Sequence, residues 1–208
     1  MRLIILGATG GIGVEVVRQA AERGHAVTAF VRSPERLLPF SGEIRILKGD
    51  LLNAAELGRV IAGHDGVLSA FGPRLPLASS DSDLLGRFAC ALAGAMSQTT
   101  VRRVVLVSTA FLFRDAIFPP AYLFGRLFFP SVVADASAME QIVTASRLDW
   151  TLVRPPQLTD KPRTGRYRVR EGHLPVFGAR IARADVADFM IRCLEDRASI
   201  RKVMGVSH

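Results

Sequence analysis

Cysteine is scarce: the 208-residue sequence has two, Cys90 and Cys193, far apart and in no C-x-x-C or metal-ligand spacing. That excludes a disulfide scaffold and points to a reducing compartment, with both thiols expected as small core residues. Four histidines, His25, His64, His173 and His208, form no constellation, so no metal site is expected. Long apolar runs are missing too. The greasiest segment, 116–133, is interrupted by Pro119, Pro120, Arg126 and Pro130, which makes it a poor bilayer span. The N-terminal apolar stretch is only a strand long and shows no signal-peptide pattern, so a cytoplasmic protein is expected. No repeat or low-complexity linker divides the chain, and its length suits one domain.

Charge is present in excess of one sign. Lys and Arg number 27 against 19 Asp and Glu, a net charge of +8. The basic residues are mostly arginines scattered along the chain, with no run longer than Arg102-Arg103. Nucleic-acid binding is not expected from that distribution, whereas a nucleotide phosphate needs only a local patch.

Strand and helix patterns alternate. Strands are expected at about Arg2–Leu6, Ala26–Val31, Ile44–Lys48, Gly66–Ala70, Arg103–Ser108, Trp150–Arg154 and Lys202–Val206. Helices are expected over Val14–Arg23, after an Asn53 cap with Glu56 as its partner, and over Ser80–Met96, Ala134–Ser146 and Ala184–Leu194. Gly24 stands at a helix C-cap. This order implies an α/β fold, a doubly wound, mostly parallel sheet with helices on both faces.

The first strand runs into G-A-T-G-G-I-G, Gly7 to Gly13. Gly7 permits a sharp reversal, Gly10 leaves room for a pyrophosphate, and Gly13 lets the helix approach the strand. The free amides of the first helical turn then face an anion. Strand, glycine turn and helix in that order make a Rossmann-type dinucleotide site, with Thr9, Gly10, Gly11 and Ile12 around the phosphates. The spacing G-x-x-G-x-x-G is that of the short-chain dehydrogenase/reductase superfamily.

At the end of the second strand stand Val31-Arg32-Ser33-Pro34-Glu35-Arg36, where an NAD site would carry a carboxylate for the ribose. Two guanidiniums can clamp a 2′-phosphate, so NADP(H) is expected over NAD(H). Asp50 and Leu51 follow the third strand, suited to the adenine amino group and ring. Ser69, Ala70, Phe71 and Gly72 follow the fourth, small enough in part for the chain to pass close to the cofactor riboses. The fifth strand ends in Val107, Ser108 and Thr109, whose hydroxyls are candidates for orienting a substrate or the nicotinamide carboxamide. Asp185 is expected to cap the last helix. No Y-x-x-x-K occurs; Tyr122, four residues before Arg126, is the one tyrosine that a Tyr/Arg variant of that pair would use.

These motifs, with R-P-P-Q at Arg154–Gln157, T-G-R-Y at Thr164–Tyr167 and I-A-R-A-D-V-A-D-F-M at Ile181–Met190, resemble the atypical short-chain dehydrogenase/reductases. The type in question is the NADPH-dependent flavin reductases (biliverdin-IXβ reductases), with NmrA-like proteins as broader relatives. The resemblance spans nearly the whole chain. It implies that Thr9 to Gly13 hold the pyrophosphate, Arg32 and Arg36 the 2′-phosphate, and Asp50 and Leu51 the adenine. Val107, Ser108 and Thr109 border the nicotinamide, and Pro155 and Pro156 meet its carboxamide side through backbone groups. Two departures stand out: Gln157 replaces the histidine after the double proline, and 116–133 is longer than its counterpart.

The expected activity is hydride transfer from NADPH to a planar acceptor such as a free flavin, a substrate and not a bound cofactor, for which proximity and stacking suffice. Half of the twelve phenylalanines, Phe111, Phe113, Phe118, Phe124, Phe128 and Phe129, fall beside the nicotinamide end. They suit an apolar lid, a dimer patch or core filling, so monomer and homodimer both stay open. The substrate side is expected from about 110–133 and 157–182. Two rivals are a catalytically silent NADP(H) sensor that binds a partner, and a nucleoside-diphosphate-sugar epimerase or dehydratase relative.

Overall fold

The computed structural model describes residues 1–72, 83–113, 127 and 129–208. Its centre is an eight-stranded sheet in the order β3-β2-β1-β4-β5-β6-β10-β8. The strands are β1 (Arg2–Leu6), β2 (Ala26–Val31), β3 (Arg45–Lys48), β4 (Gly66–Ser69), β5 (Arg103–Val107), β6 (Asp149–Arg154), β8 (Arg168–Glu171) and β10 (Lys202–Ser207). All pairings are parallel except β10 with β8. A separate parallel pair joins β7 (Gln157–Thr159) to β9 (Arg180–Ala182).

Among the described residues five helices cover the faces: α1 (Gly11–Glu22), α2 (Ala54–Ile61), α3 (Leu84–Ser97), α4 (Pro130–Ala145) and α5 (Arg183–Glu195). Strand alternation divides the core between them. Leu3 and Ile5 of β1 face Val16, Val17, Val186 and Met190 of α1 and α5. Ile4 and Leu6 face Leu57, Phe88, Leu92 and Met139 of α2, α3 and α4. Strands buried on both faces are why the segments read as continuous apolar runs.

The seven expected strands lie within one residue of their expected bounds at each end. Gly24 takes φ +76° just past α1, and its amide donates to the Ala21 carbonyl. The Asn53 side chain accepts from the amides of Ala55 and Glu56, while its own amide donates to Glu56 Oε1 at 3.1 Å. Helix α1 begins earlier than expected, because Gly11 and Gly13 belong to its first turn. Helix α4 also begins earlier, at Pro130, where a missing N–H costs nothing. Of the expected helix from Ser80, residues 80–82 lie outside the described residues.

Two expectations need correction. Cys90 is exposed, and only Cys193 is a core residue. Asp185 does not cap α5, whose N-cap is Ala182. Its fully buried carboxylate instead accepts from the amides of Thr164 and Gly165 at 2.9 and 2.8 Å and contacts His208 Nε2 at 2.8 Å. The strands β7, β8 and β9 went unread because they are short, and the four residues of β8 are all exposed, so they carry no alternation.

Candidate functional site

A cleft of about 1790 Å³ runs across the carboxyl ends of the parallel strands. That is where open α/β sheets bind ligands, at the point where strand order reverses between β1 and β4. Its floor is the glycine turn. Gly7 has φ +71°, and a Cβ there would lie 2.5 Å from the Phe71 nitrogen. A Cβ on Gly13 would lie 2.1 Å from the Gly7 carbonyl oxygen, so helix and turn touch only because both are bare. Gly10 is the N-cap of α1 and no side chain caps it; the first turn has no acidic residue either. Gly10, Gly11 and Ile12 line the cleft, so the first-turn amides stand ready for an anion.

Arg32, Ser33 and Arg36 line one end, with Val31 behind them. Arg36 Nη1 donates to the Thr9 carbonyl at 2.9 Å, tying the loop after β2 to the glycine turn. Arg32 is exposed and pairs with no carboxylate among the described residues. Asp50 and Leu51 lie beside them, and the Asp50 carboxylate accepts from the Leu52 amide at 3.0 Å in a local turn. Asp50 is the one carboxylate among the described lining residues.

Ala70, Phe71 and Gly72 line the cleft above Gly7, and Phe71 packs on Phe88 at 4.7 Å between ring centroids. Val107, Ser108, Thr109, Pro155, Pro156 and Gln157 line the far half. The two hydroxyls differ. Thr109 Oγ1 accepts from the Phe111 amide at 3.3 Å and caps a short 3-10 turn, Ala110–Leu112. Ser108 Oγ is buried and has no hydrogen-bond partner among the described residues. A buried orphan hydroxyl costs stability unless a ligand satisfies it. The Gln157 side chain accepts from Arg180 Nε at 3.0 Å.

Two expected cofactor contacts fall outside the cleft. Gly13 is buried against Gly7, and Ser69 is buried with its hydroxyl accepting from the Phe71 amide at 3.4 Å. Both shape the turn from behind. Tyr122 lies outside the described residues. Tyr167 is no substitute, since its hydroxyl donates to Asp188 Oδ2 at 2.6 Å and burial pushes its pKa far above that of an ordinary phenol. None of the four histidines lines the cleft.

Several lining residues escaped the sequence. Arg183 lies against Gly11, where a Cβ would come within 2.7 Å of its Cδ, and Nη1 pairs with Asp160 at 2.5 Å. Its only signal was its place just after β9, a strand too short to be read. Phe111 and Phe129, expected as part of a cluster, both line the cleft with rings 5.9 Å apart and planes at 11°. Phe113 is instead a core residue beneath the Arg154 guanidinium, 4.7 Å from the ring centroid. Phe118, Phe124 and Phe128 lie outside the described residues. Arg170 and Leu174 to Ala179 complete the far wall.

Glycines that a Cβ would overfill, an uncapped helix N-terminus, arginines at the β2 end and an orphan hydroxyl at the β5 end all suit a dinucleotide. Fold and site together define a Rossmann-type α/β protein whose cleft suits a dinucleotide. The chain belongs to the NAD(P)H-binding family, whose model matches residues 7–197. An uncharacterised chloroplastic protein of Arabidopsis thaliana is 30% identical over 99% of this chain and 76% of its own length. A Rossmann-fold NAD(P)-binding family protein from Shigella flexneri is 25% identical, with a TM-score of 0.75 over 100% of this chain and 93% of that one. A short-chain dehydrogenase/reductase from Veillonella parvula, solved with NADP, shares the fold at a TM-score of 0.85 and 20% identity, over 100% of this chain and 94% of that one. Among the described residues no helix is long and apolar enough to cross a membrane.

Proposed function

We propose that the protein is an NADPH-dependent reductase that delivers a hydride to a planar acceptor such as a free flavin. The observation that carries this reading is the near-parallel pair Phe111 and Phe129 in the same cleft as the unpartnered Ser108 hydroxyl. Aromatic faces favour a flat ring, and the cleft exceeds the ~300–1,000 Å³ typical of a single-ligand pocket. Arg32 and Arg36 would take the 2′-phosphate, Gly10 to Ile12 the pyrophosphate, and Ser108 with the backbone of Pro155 and Pro156 the nicotinamide end.

The cofactor, when bound, supplies a hydride from its nicotinamide ring. The acceptor gains that hydride and one proton, and NADP⁺ is left. Among the described residues no acid lines the far half of the cleft, so solvent supplies the proton, which suits an electron-poor ring. The chain's own residues bind and orient, with the described residues of 110–113 and 129–133 and the segment 157–182 forming the substrate side. The absence of Y-x-x-x-K is then no obstacle.

The test is an acceptor screen that follows NADPH absorbance with free flavins, quinones and simple carbonyls. Oxidation accelerated by flavins supports the reading. Tight NADPH binding with no turnover on any acceptor would replace it with an NADP(H) sensor.

A further inference from the structure

The cleft continues past Gln157 to the edge strand β8 and the loop behind it. Arg170 on β8 and Phe177 in the loop both line it. Phe177 is 90% exposed and has φ +58°. Left-handed backbone is costly for a bulky residue, and a phenylalanine ring in water adds to the cost.

The loop backbone around Phe177 is nonetheless pinned. Arg168 donates from Nη1 to the Val176 carbonyl at 2.7 Å and from Nη2 to the His208 carbonyl at 2.6 Å. The Gly178 amide donates to the Pro175 carbonyl at 2.8 Å. Gly178 packs so closely on β10 that a Cβ would lie 2.1 Å from the Ser207 hydroxyl oxygen. A strained, exposed side chain on a pinned loop points to a function served by that placement.

Arg170 has the complementary property. The charged neighbours on its strand are engaged: Arg168 as above, and Glu171 with Lys202 at 2.9 Å. Arg170 forms no ion pair among the described residues, and Asp50 lies towards the opposite sheet edge, next to β3. An unpaired guanidinium and an aromatic face thus line the far wall together.

We propose that Arg170 and Phe177 form a subsite for an acceptor that joins a planar ring to an anionic arm, a phosphate or a carboxylate. This rests on the reductase reading and narrows its substrate from planar to planar and anionic. Phe177 covers the ring, and Arg170 takes the arm through charge-assisted hydrogen bonds.

Flavin mononucleotide and riboflavin share one ring and differ by the phosphate, so they separate the two contributions. Binding of each to the NADP⁺-loaded protein is followed by flavin fluorescence, with turnover by NADPH absorbance in parallel. Flavin mononucleotide should bind at least tenfold tighter than riboflavin, and Arg170→Glu should erase that difference with riboflavin and NADPH affinities within twofold of wild type. Phe177→Gly should weaken both flavins without lowering the melting temperature, since glycine suits the backbone there. An anionic carboxymethyl-flavin matching flavin mononucleotide would assign the site to anionic arms generally, and one matching riboflavin to phosphate. Equal affinities for flavin mononucleotide and riboflavin, or an Arg170→Glu variant that keeps the preference, would overturn the subsite. The preference without NADPH oxidation would leave the subsite standing and overturn the reductase reading.

Discussion

The guanidinium of Arg36 donates to the carbonyl oxygen of Thr9 at 2.9 Å, across 27 positions of sequence. One side chain thereby joins the loop after β2, which carries Arg32, to the turn that opens α1. In the proposed function these are the two halves of the phosphate-binding site, and joining them before any ligand arrives would lower the ordering cost of binding.

Arg32 has no such tether and pairs with no carboxylate among the described residues. Its Ala substitution should therefore remove affinity for the 2′-phosphate and little else. Hydrogen bonds to a charged group contribute about 1.5–3 kcal/mol, so Arg32→Ala should weaken NADPH binding roughly 10- to 100-fold with NADH unchanged. Titration of both nucleotides against cofactor fluorescence decides it. Equal affinities for the two in the wild type would sink the 2′-phosphate assignment.

The glycine turn and the parallel strands were legible because each has a local signature: Gly7 must adopt positive φ, and β1 must be apolar on both faces. The far wall was legible only as a segment, within 157–182, and not residue by residue. Arg170 and Phe177 sit on a strand and a loop without periodicity, and their place on one cleft wall depends on the antiparallel return of β8 along β10. Nor could sequence separate Ser108 from Thr109, adjacent hydroxyls that differ only in whether a local turn takes them up. Asp185 was misread for a related reason. Position within a helix suggests a cap, but burial beneath 164–165 decided its partners.

Ser108 offers a test in which stability and turnover move apart. Its buried hydroxyl lacks a partner, so Ser108→Ala removes an unsatisfied group and should leave the melting temperature of the free protein unchanged or raise it by about 2–4 °C. If the proposed function holds, the same change deletes the hydroxyl assigned to the nicotinamide end, and kcat/KM with a flavin acceptor should fall about tenfold, the loss of one hydrogen bond. A lowered melting temperature with unchanged kcat/KM would show that the hydroxyl serves the fold alone.

The two thiols should react in sequence. Cys90 is exposed on α3, whereas burial pushes the Cys193 thiol up to about 11 and shields it from reagent. An aromatic disulfide reagent at pH 8 should therefore release one equivalent of thiolate from the native protein and a second only on unfolding. Cys90→Ser should abolish the fast phase; its persistence would contradict the burial of Cys193.

Asp185 makes stability depend on pH through a contact among residues that do not line the cleft. Burial alone would raise its pKa, but the Gly165 amide, His208 and the Thr164 amide and hydroxyl together hold it below the ordinary carboxylate value. The unfolded value is about 3.9. A depressed native pKa contributes stability that is fully present above the unfolded value and is lost as pH falls through the lower native one. Asp185→Asn keeps the shape, loses the charge, and cannot accept as many hydrogen bonds. At pH 7 it should be less stable by about 1.5–3 kcal/mol, the range for hydrogen bonds to a charged group, or roughly 3–12 °C in melting temperature. Other carboxylates titrate in both proteins, so the difference between wild type and variant isolates this one. In urea titrations from pH 7 to 3 the difference should hold down to about pH 5 and shrink below about pH 4. A gap that stays constant to pH 3 would mean that the neutral carboxyl holds the 164–165 turn as well as the ion does.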